Sequence, residues 1–88
     1  MKITKRNGVV CLYDDEKVAK SILKANADTE GEEISPAMAK GLADEVFVRL
    51  TEEYEIITTA DVRACVYALL LEKELPGTAK SYMEFNQK

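Results

Sequence analysis

The pair Asn7-Gly8 sits between two β-prone runs at the head of an 88-residue chain. Ile3-Thr4-Lys5-Arg6 leads in and Val9-Val10-Cys11-Leu12-Tyr13 leads out. Asn-Gly between such runs is the strongest short signal for a β-hairpin, because Gly, and often Asn, tolerates a positive φ. Two registers are compatible with it. A two-residue turn places Ile3 and Lys5 on one face with Val10 and Leu12. A three-residue loop, Arg6-Asn7-Gly8 with Gly8 as the bulge, aligns Ile3 and Lys5 with Val9, Cys11 and Tyr13. The second is preferred, since it gives one face an aromatic floor with a lysine at its edge.

Beyond the hairpin the period changes from two to 3.6. Asp14 is a good N-cap for a first helix, with Asp15 and Glu16 in the favourable first turn. Val18, Ile22 and Ala25 follow at helical spacing, with Leu23 beside them, and the polar run Asp28 to Glu33 ends the helix. A second helix opens at Ser35 as N-cap with Pro36 at N1. Its expected stripe is Met38, Leu42, Val46 and Leu50, widened by Phe47. Tyr54-Glu55-Ile56-Ile57 could add a third short strand to the hairpin. Thr58 caps a third helix with Asp61 three residues on, and Val62, Val66, Leu69 and Leu70 form its buried side. Pro76-Gly77 is expected to break the chain before a short fourth helix carrying Ala79, Tyr82, Met83 and Phe85. The expected fold is α+β and mainly α: an N-terminal β-hairpin capping a four-helix bundle, all in one domain over residues 1–88.

Composition excludes several functions. The chain has no His, which removes the commonest general base and metal ligand. Cys11 and Cys65 are far apart and cannot close a four-ligand zinc site without help; both are expected to be reduced. No Gly-x-x-x-x-Gly-Lys run is present, so neither catalysis nor a metal centre is expected. A net charge of −4 argues against a nucleic-acid binder. No stretch approaches the roughly 20 apolar residues of a membrane helix, and Met1 to Arg6 lack the apolar core of a secretory signal; a cytoplasmic location is expected. The charge is uneven, however. Residues 1–24 hold six basic residues (Lys2, Lys5, Arg6, Lys17, Lys20, Lys24) against Asp14, Asp15 and Glu16, while the rest holds six against thirteen. A small anion finds its electropositive surface near the N-terminus.

Lys5-Arg6-Asn7-Gly8, then Tyr13-Asp14, then Lys17-Val18 resembles the opening of the ATP-cone family. That opening is Lys-Arg-(Asp or Asn)-Gly, a short strand, an aromatic with Asp or Asn, two residues, then Lys and an aliphatic. Ile57 to Val62 is similar to the family's Ile-Thr helix start, and Ala79-Lys80-Ser81-Tyr82 to its last-helix segment. Order and spacing are kept over nearly the whole chain. The resemblance implies an allosteric domain that binds ATP or dATP, either as the N-terminal activity-control module of a ribonucleotide reductase or as a free-standing cone. The pattern looks closest to the anaerobic ribonucleoside-triphosphate reductase branch. Implied partners are the adenine nucleotide, the catalytic domain of a parent reductase or another reductase subunit, and a ligand-dependent homo-oligomer.

Carried over residue by residue, Lys5, Arg6 and Lys17 would hold the triphosphate, and Asp14 would accept from the adenine amino group. Ile3, Cys11, Tyr13, Val18 and Ile22 would wall the base and sugar, with Thr59 and Arg63 reaching in from the third helix. Charge-assisted hydrogen bonds of roughly 1.5–3 kcal/mol each are enough for micromolar binding. The N-terminus of the first helix is expected to add free N–H groups, and Mg²⁺ on the phosphates would ease repulsion from Asp15 and Glu16. Where the family usually carries an aromatic followed by Arg near the end of its last helix, this chain has Phe85-Asn86. A reading from another class is a nucleotide-free helical interaction domain that pairs through exposed Phe47, Tyr67 or Leu71.

Overall fold

A computed structural model describes residues 2–4, 10–53 and 57–86. The elements are β1 (Lys2–Thr4), β2 (Val10–Leu12), α1 (Asp15–Ala27), α2 (Pro36–Glu53), β3 (Ile57–Thr58), α3 (Thr59–Glu72) and α4 (Pro76–Asn86). The expected Arg6-Asn7-Gly8 loop and residues 54–56 of the expected third strand lie outside the described residues. The fold is mainly helical. Each helix packs against two others, α1 on α2 and α4, α3 on α2 and α4, so the apolar stripes close around a shared interior.

The three short strands run in the order β2-β1-β3. β1 pairs antiparallel with β2, with Ile3 opposite Cys11, which is the pairing of the three-residue-loop register. On its other side β1 pairs in parallel with β3, Ile3 opposite Ile57 and Thr4 opposite Thr58. Ile3 and Ile57 both join the buried core, which ties the central strand to the helices.

Local chemistry explains most helix boundaries. Asp14 has extended backbone and caps α1, its carboxylate accepting from the N–H of Lys17. Ser35 Oγ accepts from Met38 N at 3.1 Å ahead of Pro36, whose fixed φ suits the first helical position. At α3, Thr58 Oγ1 accepts from Asp61 N and Asp61 Oδ2 accepts from Thr58 N, a complete capping box. The far end of α3 is a Schellman turn: Leu75 N donates to Leu70 O and Glu74 N to Leu71 O. Glu74 takes the left-handed conformation there, at φ 61°, a position that usually belongs to Gly. Leu70 and Leu75 are both buried, giving the apolar contact that accompanies this motif.

Two expectations need correction. Met38 is half-exposed rather than core; the α2 stripe is Ala39, Leu42, Ala43, Val46 and Leu50, and Phe47 remains 39 % exposed at its edge. Leu42, Val46 and Leu50 are buried as expected, while Ala39 takes the place expected of Met38 and Ala43 widens the buried face. Pro76-Gly77 does not precede α4 but forms its first turn, because Pro is well suited to N1. On α1 the buried positions are Ala19, Ile22 and Ala25, with Val18 and Leu23 half-buried against the core. On α3, Val62, Val66, Leu69 and Leu70 are buried as expected.

A network not foreseen from sequence fastens the α1–α2 loop to α4. Asn26 Nδ2 donates to Glu32 O at 2.7 Å and to Thr78 Oγ1 at 3.0 Å, while Asn26 Oδ1 accepts from Ile34 N at 3.1 Å. Thr78 is completely buried, so its hydroxyl needs such a partner.

Candidate functional site

The sheet decides which ends of the chain meet. Because β1 and β3 are parallel, the chain leaves β1 at Thr4 and β3 at Thr58 on the same end of the sheet. Thr59, first residue of α3, therefore starts beside the exit of β1 towards Lys5. The antiparallel β2 delivers Tyr13, Asp14 and α1 from the opposite end, roughly 7 Å away for three-residue strands. A ligand reaching both ends would lie across the sheet and touch two helix starts.

At the α1 start, Asp14 and Lys17 are exposed. Two of the backbone N–H groups there are already taken: Lys17 N donates to Asp14 Oδ1 at 3.2 Å and Glu16 N to Asp15 Oδ1 at 3.0 Å. The expectation of free N–H groups for a phosphate is narrowed by these two, since Glu16 N and Lys17 N are occupied. Asp15 and Asp14 are the acceptors, and Lys17 is the basic side chain of the same turn. A carboxylate has about four lone-pair positions, so Asp14 keeps acceptor capacity beyond its cap.

Tyr13 is turned towards α2. Its hydroxyl donates to Ala43 O at 2.7 Å, and its ring meets that of Phe47 with centroids 5.6 Å apart and planes tilted by 49°, a favourable aromatic arrangement. Burial pushes the phenol well above its ordinary range, with the nearby Asp15 carboxylate adding to the rise, so the hydroxyl stays a donor. Val18 is half-buried one turn on. Ile3 and Ile22 are core, Ile22 with no exposed surface; they back the site rather than line its surface in this conformation. Cys11 lies on β2 opposite Ile3. Lys5 and Arg6 lie outside the described residues.

From α3, Thr59 and Arg63 are half-buried. Burial pushes the Tyr82 hydroxyl of α4 up to about 12, against the opposing pull of the Arg63 charge. Arg63 thus lies within electrostatic reach of Tyr82 on α4. Among the described residues no group of three or more Cys, Asp or Glu side chains could hold a metal ion. No described helix is long and apolar enough to cross a membrane.

The geometry is that of two helix starts joined by a small sheet whose central strand leads towards a Lys-Arg pair. The family model described as the ATP cone domain matches residues 1–88, the whole chain. The chain belongs to the ATP-cone family. An ATP cone is a nucleotide-binding, allosteric regulatory domain rather than a catalytic one, and such domains bind ATP or dATP as effectors. A search of the curated proteins gave no match.

Proposed function

We propose that this ATP cone is a single regulatory unit that binds ATP or dATP across the sheet, with the β1–β2 hairpin as a cap over the helices. The full-length family match carries the reading. Lys5, Arg6 and Lys17 hold the triphosphate; Asp14 accepts from the adenine amino group with the lone pairs its cap leaves over. Ile3, Cys11, Tyr13, Val18 and Ile22 form the apolar surround, and Thr59 and Arg63 contribute from α3. Exposure of Lys17 and Asp14 on the same helical turn supports the division between phosphate and base. Mg²⁺ would arrive on the phosphates, since the described residues offer it no cage of their own. The parent is a cytoplasmic ribonucleotide reductase, closest to the anaerobic branch, and the cone acts on its catalytic domain, on another subunit or through oligomerisation.

Calorimetric titration with dATP and then ATP, each with Mg²⁺, tests this. Micromolar binding with GTP inert is the expected result. Replacing Lys5 and Lys17 together by Ala should weaken binding by about 100-fold, the scale of two lost charge-assisted hydrogen bonds, without unfolding the chain. Undiminished affinity in that variant discards the site.

Exposed Phe47, Tyr67 and Leu71 favour a second reading, a nucleotide-free interaction domain. A stable dimer indifferent to ATP would select it.

A further inference from the structure

Tyr13 occupies an unusual position in this architecture. It is the residue immediately before the Asp14 cap, so whatever fixes Tyr13 fixes the start of α1. Its hydroxyl does not bond within its own segment but crosses 30 residues of sequence to Ala43 O, in the middle of α2. In a regular helix that carbonyl accepts the N–H of the residue four positions on, which here is Phe47. The same Phe47 presents its ring to Tyr13 while keeping 39 % of its surface exposed. One side chain therefore touches both the backbone bond and the ring of a single α2 residue that borders solvent.

We infer that Tyr13 is a latch that registers the α1 start on α2, so that a ligand at Asp14 and Lys17 is read out at Phe47 on the outer surface of α2. The inference rests on the nucleotide reading for the identity of the ligand, but the latch itself exists without one. A ligand that draws Asp14 towards itself pulls on Tyr13. The hydroxyl then either keeps Ala43 O, and α2 follows, or releases it, and the ring of Phe47 loses its cover. In both cases the change appears first on α2, where the hydrogen bond and the ring contact of Tyr13 end; its electrostatic neighbours Cys65 on α3 and Tyr82 on α4 have no such direct bond to it among the contacts described above. The ligand has only to interact differently with the two arrangements to shift their populations.

Amide hydrogen exchange, read residue by residue on the full chain, tests this in two arms. Without ligand, Tyr13→Phe keeps the ring and removes the donor. Exchange at Glu16 to Ala19 should speed up about fivefold, the scale of one lost hydrogen bond, with the last turn of α3, Leu69 to Glu72, unchanged. No change at the α1 start overturns the latch, and so does a uniform rise in every helix, which would report only a less stable fold. The second arm adds ATP with Mg²⁺ to the wild-type chain and follows the amides of Asp44 to Val48. They should shift, and Phe47→Leu, which alters an exposed residue outside the binding set, should bind ATP within about twofold of wild type yet lose most of that shift. Binding without any response at Asp44 to Val48 overturns the readout. Absence of ATP binding to the wild-type chain would instead sink the nucleotide reading, and the ligand-free arm would still decide the latch.

Discussion

The Glu32 carboxylate closes the first turn of α4, accepting Thr78 N through Oε1 at 2.9 Å. Its other oxygen accepts Gly77 N, also at 2.9 Å. A helix whose own N-cap region offers Leu75 and Pro76 thus takes its capping acceptor from a loop 45 residues earlier. The orphan donors of a helix start have to be satisfied somewhere, and here a carboxylate adds its charge to the favourable end of the helix dipole.

The backbone N–H of Thr78, followed by that of Gly77, holds the Glu32 carboxyl below its ordinary value of 4.5. A carboxyl whose folded value is lowered contributes stability that is complete above the unfolded value and is lost as pH falls through the folded one. Acid titration of unfolding should therefore show stability falling below about pH 4.5. In Glu32→Gln that part of the acid dependence should disappear, with the neutral-pH stability already lowered. Urea unfolding between pH 3 and 7 provides the check.

Gly77 should not tolerate a side chain. A Cβ there would stand 2.6 Å from Thr29 Cγ2 and 2.7 Å from Glu32 Oε2. Glu32 can retreat only by giving up its bonds to α4, and the branched Thr29 side chain donates its hydroxyl to Ala25 O, which limits its movement. Gly77→Ala should cost about 1–3 kcal/mol, measured by chemical denaturation, despite the helix propensity that Ala would add elsewhere.

Asn26→Ala should be more damaging than its half-buried position suggests. It removes the acceptor of Ile34 N and the donor to Glu32 O and Thr78 Oγ1 together. Leaving these groups without partners should cost about 2–3 kcal/mol. Thermal unfolding would show it, and an unchanged midpoint would mean that water replaces the amide at all three points.

What was legible in the sequence follows the range of each interaction. The Thr58–Asp61 capping box and the Asp14 cap join residues three apart, and both could be read directly from the chain. So could the Val62, Val66, Leu69, Leu70 face, whose large side chains announce their period. The α2 stripe was misread at Met38 because Ala39 and Ala43 carry little hydrophobic signal, although small residues are what close helix packing needs. The Asn26, Glu32 and Thr78 cluster was invisible: nothing local marks an amide and a carboxylate as partners of a helix some 50 residues away. At the site, the pattern pointed to the α1 start, where Asp14 and Lys17 are indeed exposed. It missed that Asp14 and Asp15 accept from the N–H groups of Lys17 and Glu16, since the same residue that signals a helix start also consumes a donor. The bond of the Tyr13 hydroxyl to the main-chain carbonyl of Ala43 leaves no trace in side-chain patterning.

Glu74 offers a gain instead of a loss. A side chain at φ 61° strains the turn by about 1 kcal/mol relative to Gly, and its charge forms no described contact that the turn depends on. Glu74→Gly should raise stability by about 0.5 kcal/mol once the greater freedom of Gly in the unfolded chain is subtracted. A rise of a few degrees in the thermal midpoint would confirm it; a fall would show that Glu74 is held by more than the turn.

The place of β1 in the middle of the sheet sets an order of assembly. During synthesis β1 has its antiparallel neighbour within a few residues, but its parallel neighbour arrives only when Ile57 has been made. Until then β1 carries one open edge, a template for unwanted pairing with other chains. Fragments cut before Ile57 should aggregate, and an extension fused ahead of Lys2 begins next to the central strand instead of at a free margin.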